Sequence, residues 1–201
     1  METESQTVAL ELAAFGPRDI EEITGVTRAL QRDRRRRKLA KGPAFGKPHH
    51  IGHIVEVYLI EELGRLMGGP GPAADPGAKF APAIVWRIAL DPRAWAADSL
   101  PAPAHDRAAL VMAAIGQAVP PENLAVGFHC GETTLAAPDH ASGREFFRRT
   151  DANGLLITVD FDEVAAAFLA RAAGRTFARL ADATPAESAL LNLSTEKRNL
   201  Q

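Results

Sequence analysis

The 201-residue chain is 46% hydrophobic with a formal charge of −2, so it can bury a core and has room for two small units. It holds no run near the roughly 20 apolar residues of a membrane helix, and METESQTVAL has neither a basic leader nor an apolar stretch, so a cytoplasmic protein with no membrane partner is expected. The single cysteine, Cys130, excludes an internal disulfide and a paired-cysteine zinc site. Charge is unevenly placed. Residues 27–47 carry nine basic side chains against Asp33, a balance of +8 that leaves −10 for the remainder. A positive patch on an acidic body attracts a polyanion at one place and repels it elsewhere.

Residues 1–14 read as a weakly apolar lead-in. Pro17 suits the first turn of a helix, where its missing N–H is not needed, and Ile20, Ile23 and Val26 recur at helical spacing, with Gly25 as the break. Thr27 is placed to cap a second helix, from Arg28 to about Lys38, which Gly42 and Pro43 end. Residues 42–48 (GPAFGKP) predict a tight loop or small hairpin. Ile51, Ile54, Val55, Tyr58, Leu59, Leu63 and Leu66 then predict a third helix to about Met67.

Residues 68–82 gather glycine and proline densely enough to predict a linker. Beyond it, 83–90 (AIVWRIAL), 124–130 (LAVGFHC) and 154–160 (GLLITVD) predict strands. Helices are expected over 105–118 and 161–173, the latter capped by Asp160 and Glu163. The expected fold class is α+β. An all-α winged helix-turn-helix (1–67) precedes the linker, a small α+β dimerisation or effector domain (83–182) and a polar, mobile tail (183–201).

Helix, glycine turn and capped helix make the spacing of a helix-turn-helix, whose second helix enters the major groove. On the wheel Val26, Ala29 and Leu30 point back to Ile20 and Ile23, while Arg28, Gln31, Arg32 and Arg35 share the outward face. Arginine fits guanine or a phosphate and glutamine pairs with adenine. The expected base readers are therefore Arg28, Gln31 and Arg32 behind the cap Thr27, with Arg35, Arg36, Lys38, Lys41 and Lys47 on phosphates.

The stretch Ile20-Glu21-Glu22-Ile23-Thr24-Gly25-Val26-Thr27, then Leu30-Gln31-Arg32-Asp33, the 42–48 loop and the helix from His50 resemble the winged helix-turn-helix of MerR-type transcription regulators over residues 15–68. The resemblance implies a recognition helix, a wing on the DNA backbone and a homodimer on a palindromic promoter. The chain departs from that pattern in having Asp33 and Arg34 at two aromatic positions and Lys38 at a glycine. Arg34, near the inner edge of the wheel, must either snorkel or pair with an acid such as Glu21 or Glu22, and Asp33 can reach Arg36 or Arg37. The long dimerising helix has no counterpart, since 161–173 spans only about 20 Å.

Other clusters carry weaker signals. His129 and Cys130 with Asp139 and His140 suggest a metal or thiol site, yet a buried cysteine beside surface histidines explains them more simply. His49, His50 and His53 adjoin the predicted wing and could form a second cluster, although the adjacent His49 and His50 are expected to touch phosphate. Asp160, Asp162 and Glu163 suit a helix cap better than a metal, and GGPGPAADPG lacks the lysine of a phosphate loop. Trp86, Trp95, Phe128, Phe146 and Phe147 fit a ligand pocket or a core equally, and Arg144, Arg148 and Arg149 a solvated turn. The expected function is a sequence-specific double-stranded DNA-binding transcription regulator, homodimeric and in contact with RNA polymerase. No catalysis, metal or cofactor is expected, and the alternative is a non-specific or architectural nucleic-acid binder.

Overall fold

In the computed structural model, residues 8–39, 48–149 and 154–182 are described. The order is β1 (Val8–Leu12), α1 (Pro17–Thr24), α2 (Arg28–Arg36), α3 (Ile51–Met67), α4 (Pro70–Leu90), a 3-10 turn at Pro92–Ala94 and α5 (Ala104–Ala114). Then come β2 (Val126–Cys130), β3 (Thr133–Ala137), α6 (His140–Arg149), β4 (Ile157–Asp160), α7 (Phe161–Ala172) and β5 (Ala178–Asp182). The chain is α+β. The predicted tail, Lys41, Lys47 and all of the 42–48 loop except Pro48 lie outside the described residues.

The predicted linker at 68–82 and strand at 83–90 are together one helix, α4. Pro70 stands in its first turn, where proline is tolerated, but Pro76 and Pro82 lie inside it and each removes a helical hydrogen bond. Tertiary burial overrides that cost. Ala73, Gly77, Phe80, Ile84 and Ile88 form a buried stripe, and α3 packs along it. A Cβ at Gly77 would sit 2.9 Å from Ile60 Cγ1, so the glycine serves helix contact and not flexibility. From Ala83 to Ala89 every residue but Arg87 is buried, and such an enclosed helix shows the same unbroken apolar run as a strand.

The division into 1–67 and 83–182 is also corrected. β1 pairs antiparallel with β5, Val8 opposite Asp182 and Leu12 opposite Ala178, so the first and last described elements share a sheet. Phe15 packs on Phe177 at 5.5 Å between ring centroids, and Phe177 on Phe168 of α7 at 5.6 Å. Ile20, Ile23 and Val26 belong to the same core cluster as residues of α3, α4, α5 and α7.

The other sheet is antiparallel, in the order β3-β2-β4. Its central strand needs Gly127, where a Cβ would fall 2.6 Å from Phe80 and 2.9 Å from Phe161. Above Phe128 lies α6, whose Gly143 leaves no room for a side chain, since a Cβ there would meet Phe128 at 1.9 Å. Asp160 caps α7, as its spacing predicts, by accepting from the N–H groups of Asp162 and Glu163 at 3.0 and 2.9 Å.

Candidate nucleic-acid interface

The turn between α1 and α2 is held by four consecutive residues. Thr24 Oγ1 donates to Ile20 O at 2.7 Å and accepts from Val26 N at 3.2 Å. Gly25 takes the left-handed conformation, φ 73°, and its N–H closes α1 on Glu21 O at 2.8 Å. Val26 is buried, and Thr27 Oγ1 accepts from Leu30 N at 3.4 Å to cap α2. The axis of α2 is thereby fixed relative to α1.

The wheel of α2 is turned from the sequence expectation. Leu30 and Ala29 are exposed, and the inward face consists of Gln31 and Arg34. Gln31 Nε2 donates to Val26 O at 2.7 Å and Pro17 O at 3.0 Å, which pins α2 to α1. A side chain so committed does not reach a base edge, and Gln31 is withdrawn from the reading set. Arg34 is buried and pairs with Glu61 of α3 rather than with Glu21 or Glu22. Polar contacts, not an apolar stripe, therefore dock this short and very basic helix.

Arg28, Arg32, Arg35, Arg36, Arg37 and Lys38 remain exposed around α2 and its C-terminal end. Arg28 lies 3.7 Å from Glu21, and Asp33 takes Arg36 and Arg37 at 2.9 Å each, the intrahelical pairs its position predicts. Among the described residues Arg32 and Lys38 have no ion-pair partner. Lys38 has φ 57°, in the left-handed region that disfavours a side chain. Lys38→Gly should therefore stabilise the fold by about 1 kcal/mol and, if α2 binds DNA, weaken every duplex alike. Urea unfolding and duplex titration of the same variant check the two effects.

Arg35 reaches back to the residue after the predicted wing. Its Nη2 donates to His49 Nε2 at 3.0 Å, and His49 is tied to Phe15 by a pair of backbone hydrogen bonds of 2.9 and 3.1 Å. His50 caps α3, its Nδ1 accepting from Gly52 N at 3.2 Å, while His53 Nδ1 accepts from His50 N at 3.4 Å. All three rings use a bare nitrogen as acceptor, which only the neutral imidazole provides. Burial lowers all three pKa values. Those of His49 and His53 fall to about 4, helped in both by the Arg35 charge. The expected contact of His49 and His50 with phosphate is replaced by this neutral cluster of all three rings.

Groups held below their unfolded value of about 6.5 bind protons more readily in the unfolded chain. Stability that is whole above pH 6.5 should therefore be lost as pH falls toward 4. Thermal unfolding at pH 7.5 and 5.0 should show this fall, and His49→Gln should flatten it. An equal slope in the variant would contradict the assignment to His49 and leave the fall to His50, His53 and His129, which burial also lowers.

No family model matches the chain, and no curated protein or solved structure matches it. Cys130 lies in a small satellite core with Val126, Phe128, Ala137 and Phe147. Asp139 Oδ1 accepts from Ser142 N at 2.7 Å, and His140 packs edge-on against Phe128. Asp162 pairs with Arg87 at 3.2 Å. Among the described residues no group of three or more His, Cys, Asp or Glu could hold a metal ion, and no helix is long and apolar enough to cross a membrane. Trp86 and Trp95 are core residues, whereas Phe146 is exposed.

Sequence reasoning missed Glu61 and Thr24. Glu61 follows Val57 by four residues and Tyr58 by three, both buried, so a wheel of α3 puts an acid at the edge of its inner stripe.

Proposed function

We propose that the chain is a sequence-specific double-stranded DNA-binding transcription regulator in which α2 enters the major groove. The observation that carries this reading is the exposed arginine face of a capped helix whose angle to α1 is set by the Thr24–Thr27 turn. Arg28 and Arg32 lie on the first turns of α2, where a recognition helix meets base edges, and each guanidinium fits the O6 and N7 of guanine. Arg35, Arg36 and Lys38, with Lys41 and Lys47, are assigned to phosphates.

In this reading α1, α2 and α3 are the helices of a winged helix-turn-helix of the MerR-like kind. The chain acts as a homodimer on two half-sites and contacts RNA polymerase. The burial of Gln31 favours a second reading, a non-specific or architectural binder, because it leaves fewer groups that discriminate bases. Selection from a random duplex library separates the two. A regulator should prefer its selected site over a scrambled duplex by about a thousandfold or more, whereas an electrostatic binder yields no enriched site.

A further inference from the structure

We infer that the cavity between the first turns of α3 and the middle of α4 binds a small zwitterionic α-amino acid with an aliphatic side chain. Its volume is about 210 Å³. Drug-sized ligands occupy roughly 300–1,000 Å³, so the occupant is small. His50, His53 and Glu56 recur every three residues along α3 and bring their polar ends to one wall. Ala78, Ala81, Pro82 and Val85 follow the same helical rule on α4, and Ile115 and Gln117 close the cavity from the end of α5.

The polar wall offers both kinds of hydrogen-bonding group. The His50 and His53 rings lie 3.8 Å apart between centroids. Each accepts a backbone N–H at Nδ1, so each neutral ring carries its proton on Nε2. Among the described residues neither Nε2 has a partner, and neither is sealed from solvent. Burial lowers the pKa of both rings and so keeps them neutral at physiological pH. The cavity therefore presents two neighbouring N–H donors, which the two oxygens of a carboxylate accept.

Acceptors stand beside these donors. Glu56 is 8% exposed. A carboxylate accepts up to about four hydrogen bonds, so Glu56 takes an ammonium N–H beside any other contact it makes. Pro82 has no N–H to give to the carbonyl of Ala78, four residues back, which leaves a backbone acceptor of α4 at the cavity. Gln117, exposed at the rim, adds an amide oxygen. The three N–H groups of an ammonium match these three acceptors, and Ala81, Val85 and Ile115 supply the apolar surface for the side chain. Among the described residues no group of three could hold a metal ion, so the ligand is organic. An amine alone leaves two N–H donors unpaired, and a plain carboxylate meets Glu56 with nothing to offset its charge. A zwitterion satisfies both sets and adds no net charge.

The site does not depend on the DNA-binding reading, because its test uses the full chain without DNA. L-leucine should raise the thermal midpoint by about 3–6 °C at tenfold excess over Kd. Isoamylamine, which lacks the carboxylate, and isocaproate, which lacks the ammonium, should each give less than half that rise at the same concentration. Ala78→Leu fills the cavity from a half-buried position and should abolish the response. Pro82→Ala restores the helical hydrogen bond to Ala78. Its midpoint without ligand should therefore not fall, while its response to leucine should drop at least twofold. No rise with leucine up to its solubility would overturn the site, as would a rise undiminished in both variants. An equal rise with isoamylamine or isocaproate would overturn the zwitterion as its ligand.

Discussion

Glu61→Ala is expected to destabilise the protein by about 2–3 kcal/mol, below the loss for a fully buried ion pair because Glu61 itself is partly exposed. Arg34 has no escape by deprotonation, and its Nε and Nη1 already lack partners among the described residues, so the variant leaves a buried cation with no partner there. The helix it belongs to has little else to hold it: Gln31 is the other buried residue of α2. Replacing both partners, Arg34→Met with Glu61→Leu, should recover most of the loss, because apolar residues of similar volume need no compensation. Urea unfolding of the single and double variants measures this directly. A single variant within about 0.5 kcal/mol of the wild type would mean that α2 is docked by other contacts.

Arg32→Ala should cost about 1–3 kcal/mol, tenfold or more, on the preferred duplex and relax the choice of base at one position, without lowering stability. Arg32 is exposed and has no ion-pair partner among the described residues, so its removal disturbs nothing in the free protein. Gln31→Ala should behave in the opposite way. It breaks the bonds to Val26 O and Pro17 O and lowers stability by about 1–3 kcal/mol, yet leaves base preference intact. Affinities on the selected duplex and its single-base variants, read with the unfolding midpoints, separate the two roles. A change of base preference in Gln31→Ala alone would restore the glutamine to the reading face.

The elements around α2 were legible because their signals are local. Pro17, Gly25, Thr27 and Asp160 each act on the nearest turn, and the elements they bound fall where the spacing puts them. The face of α2 was not legible. Nearly every residue of RALQRDRRR is polar, so apolar periodicity gives no phase, and partners 14 to 27 residues away decide which arginine turns inward. The helix α4 was hidden for the reverse reason: Pro76, Gly77 and Pro82 read as punctuation, whereas the close packing of Ile60 and the burial of Phe80 and Ile84 outweigh them. The strand β1 has alternating Val8, Leu10 and Leu12, a pattern too short to stand out without its partner β5.

The measurement that bears most directly on the central claim is the affinity of the full chain for duplex DNA across a salt series from about 50 to 200 mM. With about five phosphate contacts, log K against log salt should fall with a slope of about −4 to −5, and charge removal at Lys38 should reduce it by about one. Absence of binding at micromolar protein in the lowest salt would contradict the assignment of α2 to a nucleic-acid groove.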